Sequence, residues 1–369
     1  MALDFPTSPT VGQQYGGYVY DGTKWKVSTT STAPASVQPT PPTNPTVGDM
    51  WFNSTDGTMY FYYNDGNTSQ WVESRAPITA NGYYSPNYFI NGAFDIWQRG
   101  TSFSSQGMTA DRWQSDTDKG VTNTQQIFTP GAAPVAGYEG TYFIRSAYGA
   151  AGSYGQLFQK IEDVRTLAGQ TATLSFWAKV GSGTVSVIPG VYQSFGSGGS
   201  TTVAIDLTAQ TLTTSWQRFS VTFSMPSVAS KTIGANNYLA IAIGRVSGSS
   251  AVTMDIWGAQ IEAGSAATTF RRNGNSTAEE LAACMRYYQT GFILYDAGYV
   301  PANTPIGNSV SFPTTMRTAP TMAFSFTNTA NCRAGTNRYI TALGFGRVAL
   351  SNSTAAMSGY DFYTADGEL

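Results

Sequence analysis

Residues 87–100 read NYFINGAFDIWQRG, and after a Ser/Gly-rich turn residues 109–113 read TADRW. Tyr88, Phe89, Ile90, Phe94, Ile96 and Trp97 make an apolar run broken by Asn91-Gly92 and Arg99-Gly100. That pattern predicts a strand, a bend and a second short strand. Residues 252–261, VTMDIWGAQI, are expected beside it, so that the two ends of one central domain meet.

Between these ends the chain alternates. Ala172, Leu174, Phe176, Ala178 and Val180 fall on one face of a strand, with Thr171, Thr173, Ser175, Trp177 and Lys179 on the other. Phe219, Val221, Phe223 and Met225 repeat the pattern, as do Leu239, Ile241 and Ile243, then Val252, Met254 and Ile256. Short strands joined by Gly/Ser turns at 196–200 and 247–250 predict an antiparallel sandwich, taken as a jelly roll over 76–272.

Outward from this domain, residues 1–75 hold a repeat: PTSPTVG at 6–12 returns as PTNPTVG at 42–48. Each copy leads through aromatic strands and a Gly-containing turn to Trp25 or Trp71, as a small β-meander (1–27 and 43–75). Asp56-Gly57 and Asn64-Asp65-Gly66 mark turns in the second copy. A unit this small cannot bury Trp51, Phe52, Tyr60, Phe61 and Trp71 alone, so partner chains are expected to cover it. Residues 28–42, rich in Ser, Thr and Pro, read as an extended linker with few hydrogen bonds of its own.

Towards the other end, Ser276 or Thr277 with Glu279 or Glu280 forms a capping box before LAACMRYY. Leu281, Met285 and Tyr288 line the expected face of this helix. Strand-like text at 292–295, 309–312, 321–326, 339–350 and 360–363 then predicts a smaller β domain, giving a helix plus C-terminal β module over 273–369. The fold class is all-β.

Composition narrows function. The 369 residues are 41% hydrophobic and only 11% charged, with 39 glycines, which suits short strands and turns over helices. A net charge of -2 offers no positive field for a phosphate backbone, so nucleic acid is not an expected partner. No apolar run approaches the roughly 20 residues that span a bilayer, and MALDFPTSPT lacks the basic and apolar regions of a signal peptide, so cytoplasmic folding is expected. Cys284 and Cys332 lack ligand spacing and read as small buried apolar side chains. With no histidine, a Ser/His/Asp or Cys/His site or a histidine-bound zinc cannot be built. The acidic pairs Glu162-Asp163, Asp116/Asp118 and Glu279-Glu280 sit in turn or capping text, a poor basis for paired-carboxylate hydrolysis.

Taken in order, INGAFDIWQRG, TADRW, KIEDVRTLAGQTATLSFWAK, TTSWQRFSVTF, DIWGAQIEAGSAATTFRR and TAEELAACMRYY resemble bacteriophage tail-fibre and minor structural proteins over residues 88–288. SPTVGQ and YVYDGTKW look like the virion-attachment ends of such fibres. The resemblance implies a carbohydrate-binding-module-like jelly roll on a homotrimeric fibre, assembled in the host cytoplasm and then part of a virion. It implies attachment to other phage tail or virion proteins through an arm bearing Tyr15, Tyr18, Tyr20 and Trp25, and contact with host polysaccharide or lipopolysaccharide. A structural virion component (head fibre, collar or tail adaptor) and a depolymerase are the alternatives.

A sugar ring has an apolar face and a rim of hydroxyls, so its site needs an aromatic platform beside fixed polar groups. Trp177, on the polar face of its strand, is the candidate platform, with Tyr192, Gln193, Asp206 and Arg218 on strands expected nearby; packing of Trp177 beneath a loop or a neighbouring subunit is the competing reading. Asp95 and Asp255 are the candidate ligands of a structural Ca²⁺ where the first and last strands of a carbohydrate-binding jelly roll meet; the alternative is a turn or an ion pair with arginine.

Overall fold

The computed structural model describes residues 6–15, 18–27, 36–55, 57–64, 66, 68–73, 87–134, 138–274 and 276–369. The chain divides into two compact units, residues 1–84 and 85–369.

In the first unit, β1 (Gln14–Tyr15), β2 (Tyr18–Tyr20) and β3 (Trp25–Val27) form one sheet, while β4 (Ser36–Gln38), β5 (Met50–Asn53), β6 (Thr58–Asn64) and β7 (Ser69–Glu73) form another. The sequence repeat is a structural repeat. Gly12 N donates to Tyr20 O and Tyr20 N to Gln13 O, as Gly48 N donates to Tyr62 O and Tyr62 N to Asp49 O. In both copies the turn threonine's N–H is held by a side chain three residues on, Thr10 by Gln13 and Thr46 by Asp49. Trp51, Tyr60, Tyr62 and Trp71 form a chain of ring contacts, with Tyr60 stacked on Trp51, Trp71 edge-on to it and Tyr62 tilted against Trp71. The expectation of an unbonded linker over 28–42 fails at β4: Ser36–Gln38 pairs in parallel with Trp51–Asn53, and Trp51 Nε1 donates to Gln38 O. Residues 28–35 and 76–86, the turn residues Asp56 and Asp65, and the side chains of Tyr15 and Tyr18 lie outside the described residues.

The second unit opens with thirteen strands. They are β8 (Ser102–Phe103), β9 (Gly107–Met108), β10 (Trp113–Thr117), β11 (Val121–Ile127), β12 (Tyr142–Tyr148), β13 (Tyr154–Glu162) and β14 (Thr171–Val180), followed by β15 (Val185–Ser194), β16 (Val203–Asp206), β17 (Gln210–Leu212), β18 (Gln217–Ser224), β19 (Tyr238–Ser247) and β20 (Val252–Ala263). They make two facing sheets, β16-β15-β19-β13-β10-β9 (with β17 also on β15) and β18-β14-β20-β12-β11-β8. This is the expected jelly-roll sandwich. Leu174, Phe176, Leu157, Val191, Ile241, Met254 and Ile256 are among the buried residues that fill the space between the sheets.

Residues 87–98 are not the predicted pair of strands. They form a coil whose polar side chains replace a sheet ladder: Asn87 Nδ2 donates to Ala259 O and Arg271 O, and its Oδ1 accepts from Phe89 N and Ile261 N. The coil does lie against the end of β20, through Tyr88 N to Ile261 O and Ala259 N to Gly92 O. A Cβ at Gly92 would stand 2.2 Å from Ala259 O, so only glycine fits there.

After α1 (Thr277–Met285) come β21 (Tyr288–Val300), β22 (Pro305–Ser311), β23 (Thr321–Ala330), β24 (Cys332–Thr341), β25 (Gly344–Ser351) and β26 (Ala355–Asp366), in sheets β21-β26-β23 and β22-β25-β24. The single strand expected over 339–350 is instead a hairpin, since residues 342–343 turn between β24 and β25. Ser276 caps α1, accepting from Glu279 N. The helix buries Glu280 and Cys284 rather than the predicted Leu281 and Met285, because the Glu280 carboxylate accepts from the backbone N–H of Asn91 and of Gly274; Tyr288, the third residue of the expected face, is buried but begins β21. Both cysteines are buried. No helix among the described residues is long and apolar enough to cross a membrane.

The small module is tied to the jelly roll by buried charge. Arg112 stacks on the Tyr287 ring, 3.4 Å from its centroid, pairs with Glu368 and donates to Lys160 O. Its surroundings lower the guanidinium to about 10, chiefly by desolvation.

Candidate functional site

The outer face of the β16-to-β9 sheet carries a groove. Its floor is low where Ala240 of β19 stands between Tyr192 of β15 and Lys160 of β13, its partners in the two ladders. Two adjoining cavities of about 370 and 400 Å³ share Asp116, Gln156 and Tyr192. The alternation of β13 supplies one wall, with Gln156, Phe158 and Lys160 outward and Leu157 and Gln159 inward. A register shift between Leu157 and Phe158 brings Arg245, not Gly244, opposite Gln156, so that the guanidinium also faces outward.

Polar groups here are fixed to one another. Tyr192 Oη donates to Gln156 Oε1 at 3.3 Å, Gln156 Nε2 donates to Asp116 Oδ2 at 3.2 Å, and Tyr154 Oη donates to Asp116 Oδ1 at 3.2 Å. Across Gly190, which pairs with Asp206 and carries no side chain, Arg245 reaches Asp206 at 2.6 Å. Lys160 Nζ lies 4.7 Å from the centroid of the Tyr238 ring and donates to Leu369 O. Burial, with the positive charges of Arg112 and Arg317, lowers the Lys160 ammonium below its ordinary range. The groove therefore joins aromatic faces to amide, carboxylate and cationic groups, the combination that an amphipathic sugar ring requires.

At the end of the groove nearest Tyr154, Asp118 accepts from Ser153 N, Ser153 Oγ and Tyr154 N at 2.6–2.8 Å. These bonds, the Ser153 hydroxyl first, lower its pKa to about 2. A depressed carboxylate stabilises fully above its unfolded pKa and loses that contribution as pH falls through its folded one. Thermal melts from pH 5 down to about 2 should show Asp118→Asn less stable than the parent at the upper end and converging with it at the lower.

Of the five sequence-chosen glycan residues, the structure brings Tyr192 into this groove, sets Asp206 beside it as the partner of Arg245, and places the other three elsewhere. Gln193, one residue from Tyr192, points inward and donates to Pro226 O. Trp177 and Arg218 belong to the opposite sheet, and Trp177 is only 7% exposed, packed with Trp257 and Phe270 and covered by Arg218 at 4.7 Å. The polar-face argument for Trp177 as an exposed platform fails because the chain after β20 folds over that face: Arg218 donates to Thr268 O, and Phe270 meets the indole edge-on. Asp116, Gln156, Phe158, Lys160, Tyr238 and Arg245 were not singled out as glycan residues. The alternation YGQLFQKIE in β13 was the available signal.

Asp95 and Asp255, the candidate calcium ligands, are each engaged by an arginine. Arg272 pairs with Asp95, while Arg145 grips Asp255 with two hydrogen bonds at 2.7 and 2.9 Å and Lys179 approaches it at 3.7 Å. Each carboxylate already has a cationic partner, and no group of three or more His, Cys, Asp or Glu side chains that could hold a metal occurs among the described residues. In the arm, Tyr20 and Trp25 are paired across β2 and β3 with ring centroids 5.5 Å apart.

Among solved structures, the chain is similar to the CBM22-1 xylan-binding domain from Paenibacillus barcinonensis Xyn10C, with 17% identity over 45% of this chain and 94% of that one and a TM-score of 0.30. It is similar also to the family 11 carbohydrate-binding module of cellulosomal cellulase Lic26A-Cel5E of Clostridium thermocellum (13%, 46% and 98%, TM-score 0.28). The enzymatically active domain of bacteriophage CBA120 tailspike protein 4 is a third (16%, 48% and 21%, TM-score 0.31). No curated protein matches the chain. Residues 86–234, which include Asp116, Gln156, Phe158, Lys160 and Tyr192 of the groove, match the family model described as a carbohydrate binding domain.

Proposed function

We propose that the chain is a non-enzymatic phage fibre protein or adhesin. Its jelly roll holds a host-surface polysaccharide or lipopolysaccharide glycan in the groove between Tyr192 and Gln156, and its duplicated N-terminal meanders dock on other virion proteins. The observation that carries the glycan reading is the linked Tyr192–Gln156–Asp116 network, beside the half-buried ring of Phe158, within the segment that matches a carbohydrate binding domain. The phage setting is supported by the motif resemblance over residues 88–288. The homotrimer is supported by Phe61, Tyr63 and Val72, each at least 40% exposed on one small sheet that needs cover.

Glycan-array binding by the purified chain tests the first part. Tyr192→Ala should weaken the selected glycan at least about tenfold, since it removes both a ring face and the partner of Gln156. An unchanged affinity would remove the groove from the account. The same exposed apolar sheet favours a second reading, a head fibre, collar or tail adaptor that contacts phage proteins alone. Labelled protein that binds host cells and competes with phage adsorption excludes it.

A further inference from the structure

We propose that the glycan track continues past the jelly roll and ends on the C-terminal module, so that one polysaccharide chain is held by both. This rests on the groove being a glycan site. The outward residues of β13 line three cavities in succession: Tyr154 and Gln156 the first, Gln156, Phe158 and Lys160 the second, and Glu162 a third of about 310 Å³. The neighbouring strand steps the same way, from Arg245 through Ala240 and Tyr238 to Asn236 and Asn237. Tyr154 to Glu162 is nine residues of extended chain, about 27 Å from first to last, room for several sugar units in line.

The third cavity, an open depression, is lined by Arg286 and Arg317, which lie beyond the jelly roll and outside the segment matching the carbohydrate binding domain. No aromatic side chain lines it. It is suited to grip hydroxyls and ring oxygens at the end of a chain whose ring faces rest on the first two cavities. Both arginines are held in advance. Arg286 donates to the two Glu162 oxygens at 2.9 and 3.1 Å, and Arg317 donates to Gly367 O and Glu368 O, each at 2.9 Å. The Arg112–Glu368 pair fixes the modules' alignment from below. A preformed site loses little freedom on binding.

Calorimetric titration of the full chain with short and long fragments of one array-selected glycan backbone tests the extension. The long fragment should bind about tenfold more tightly than the short. Arg286→Ala and the milder Arg317→Lys should each remove most of that advantage while leaving the short fragment's affinity unchanged, whereas Tyr192→Ala should weaken both fragments. Equal affinity for the two lengths, or equal losses of both in Arg286→Ala, would overturn the extension alone. No glycan bound at all, or binding indifferent to Tyr192→Ala, would instead overturn the groove and the extension with it.

Discussion

Asp361→Ala should destabilise the C-terminal module by about 3–5 kcal/mol, because it strands a buried guanidinium. Asp361 has no exposed surface and Arg347 is 6% exposed. Arg347 Nε and Nη2 donate to the two carboxylate oxygens at 2.6 and 3.1 Å, and Tyr295 Oη adds a third bond at 3.0 Å. The same guanidinium lies 3.8 Å from the Phe324 centroid and donates to Asn337. Asp361, Tyr295 and Phe324 belong to one sheet and Arg347 and Asn337 to the other, so the network clamps the sandwich. Urea midpoints measure the loss. The triple variant Asp361→Leu/Arg347→Met/Tyr295→Phe should recover most of it, since apolar groups carry no desolvation cost and no buried hydroxyl is left without its acceptor. A loss under about 1 kcal/mol in the single variant would mean that water reaches the arginine and that the clamp is not what holds the sheets.

Asn91→Ala should cost the jelly roll a similar amount, about 3–5 kcal/mol, by taking from Ile96 N and Asp111 O the partner that the side chain supplies, while Ile96 O keeps its bond from Asp111 N. Its amide donates to Ile96 O and Asp111 O at 2.9 and 3.0 Å, and its carbonyl oxygen accepts from Ile96 N at 3.0 Å. Its φ of 60° is one that asparagine tolerates better than alanine. Asn91→Gly separates the two causes: it relieves the backbone but restores no hydrogen bond, so it should recover only about 1 kcal/mol of the loss. Full recovery in the glycine variant would assign the effect to backbone strain.

These two residues mark where the sequence stopped being readable. Strand periodicity depends on near neighbours, and the core face of β14 from Ala172 to Val180 is as the alternation predicts. The Ser276 cap is local too. In residues 87–98 the spacing of Phe89, Phe94 and Ile96 reads as strand, yet all three are buried in a coil stapled by the side chains of Asn87 and Asn91. Trp177 looked exposed because alternation says nothing of a loop that returns more than eighty residues later. Asp361 sits inside an alternating strand, and its partner Arg347 is legible only once β25 and β26 are placed in facing sheets.

The groove lay beyond reach for the same reason. Its walls come from four strands, and its composition depends on one register shift between Leu157 and Phe158 that no local pattern announces. Residue type alone pointed to Tyr192, which lines the groove, and to Asp206, which pairs with Arg245 beside it, whereas Gln193 points inward because adjacent strand residues face opposite ways.

A crystal structure of the full chain with the array-selected oligosaccharide bound tests the central claim most directly. The account predicts sugar density along the outer face of β13, with a ring against Tyr192 and hydroxyls on Gln156 and Asp116. Density on the opposite sheet above Trp177, or confined to the C-terminal module, would contradict it.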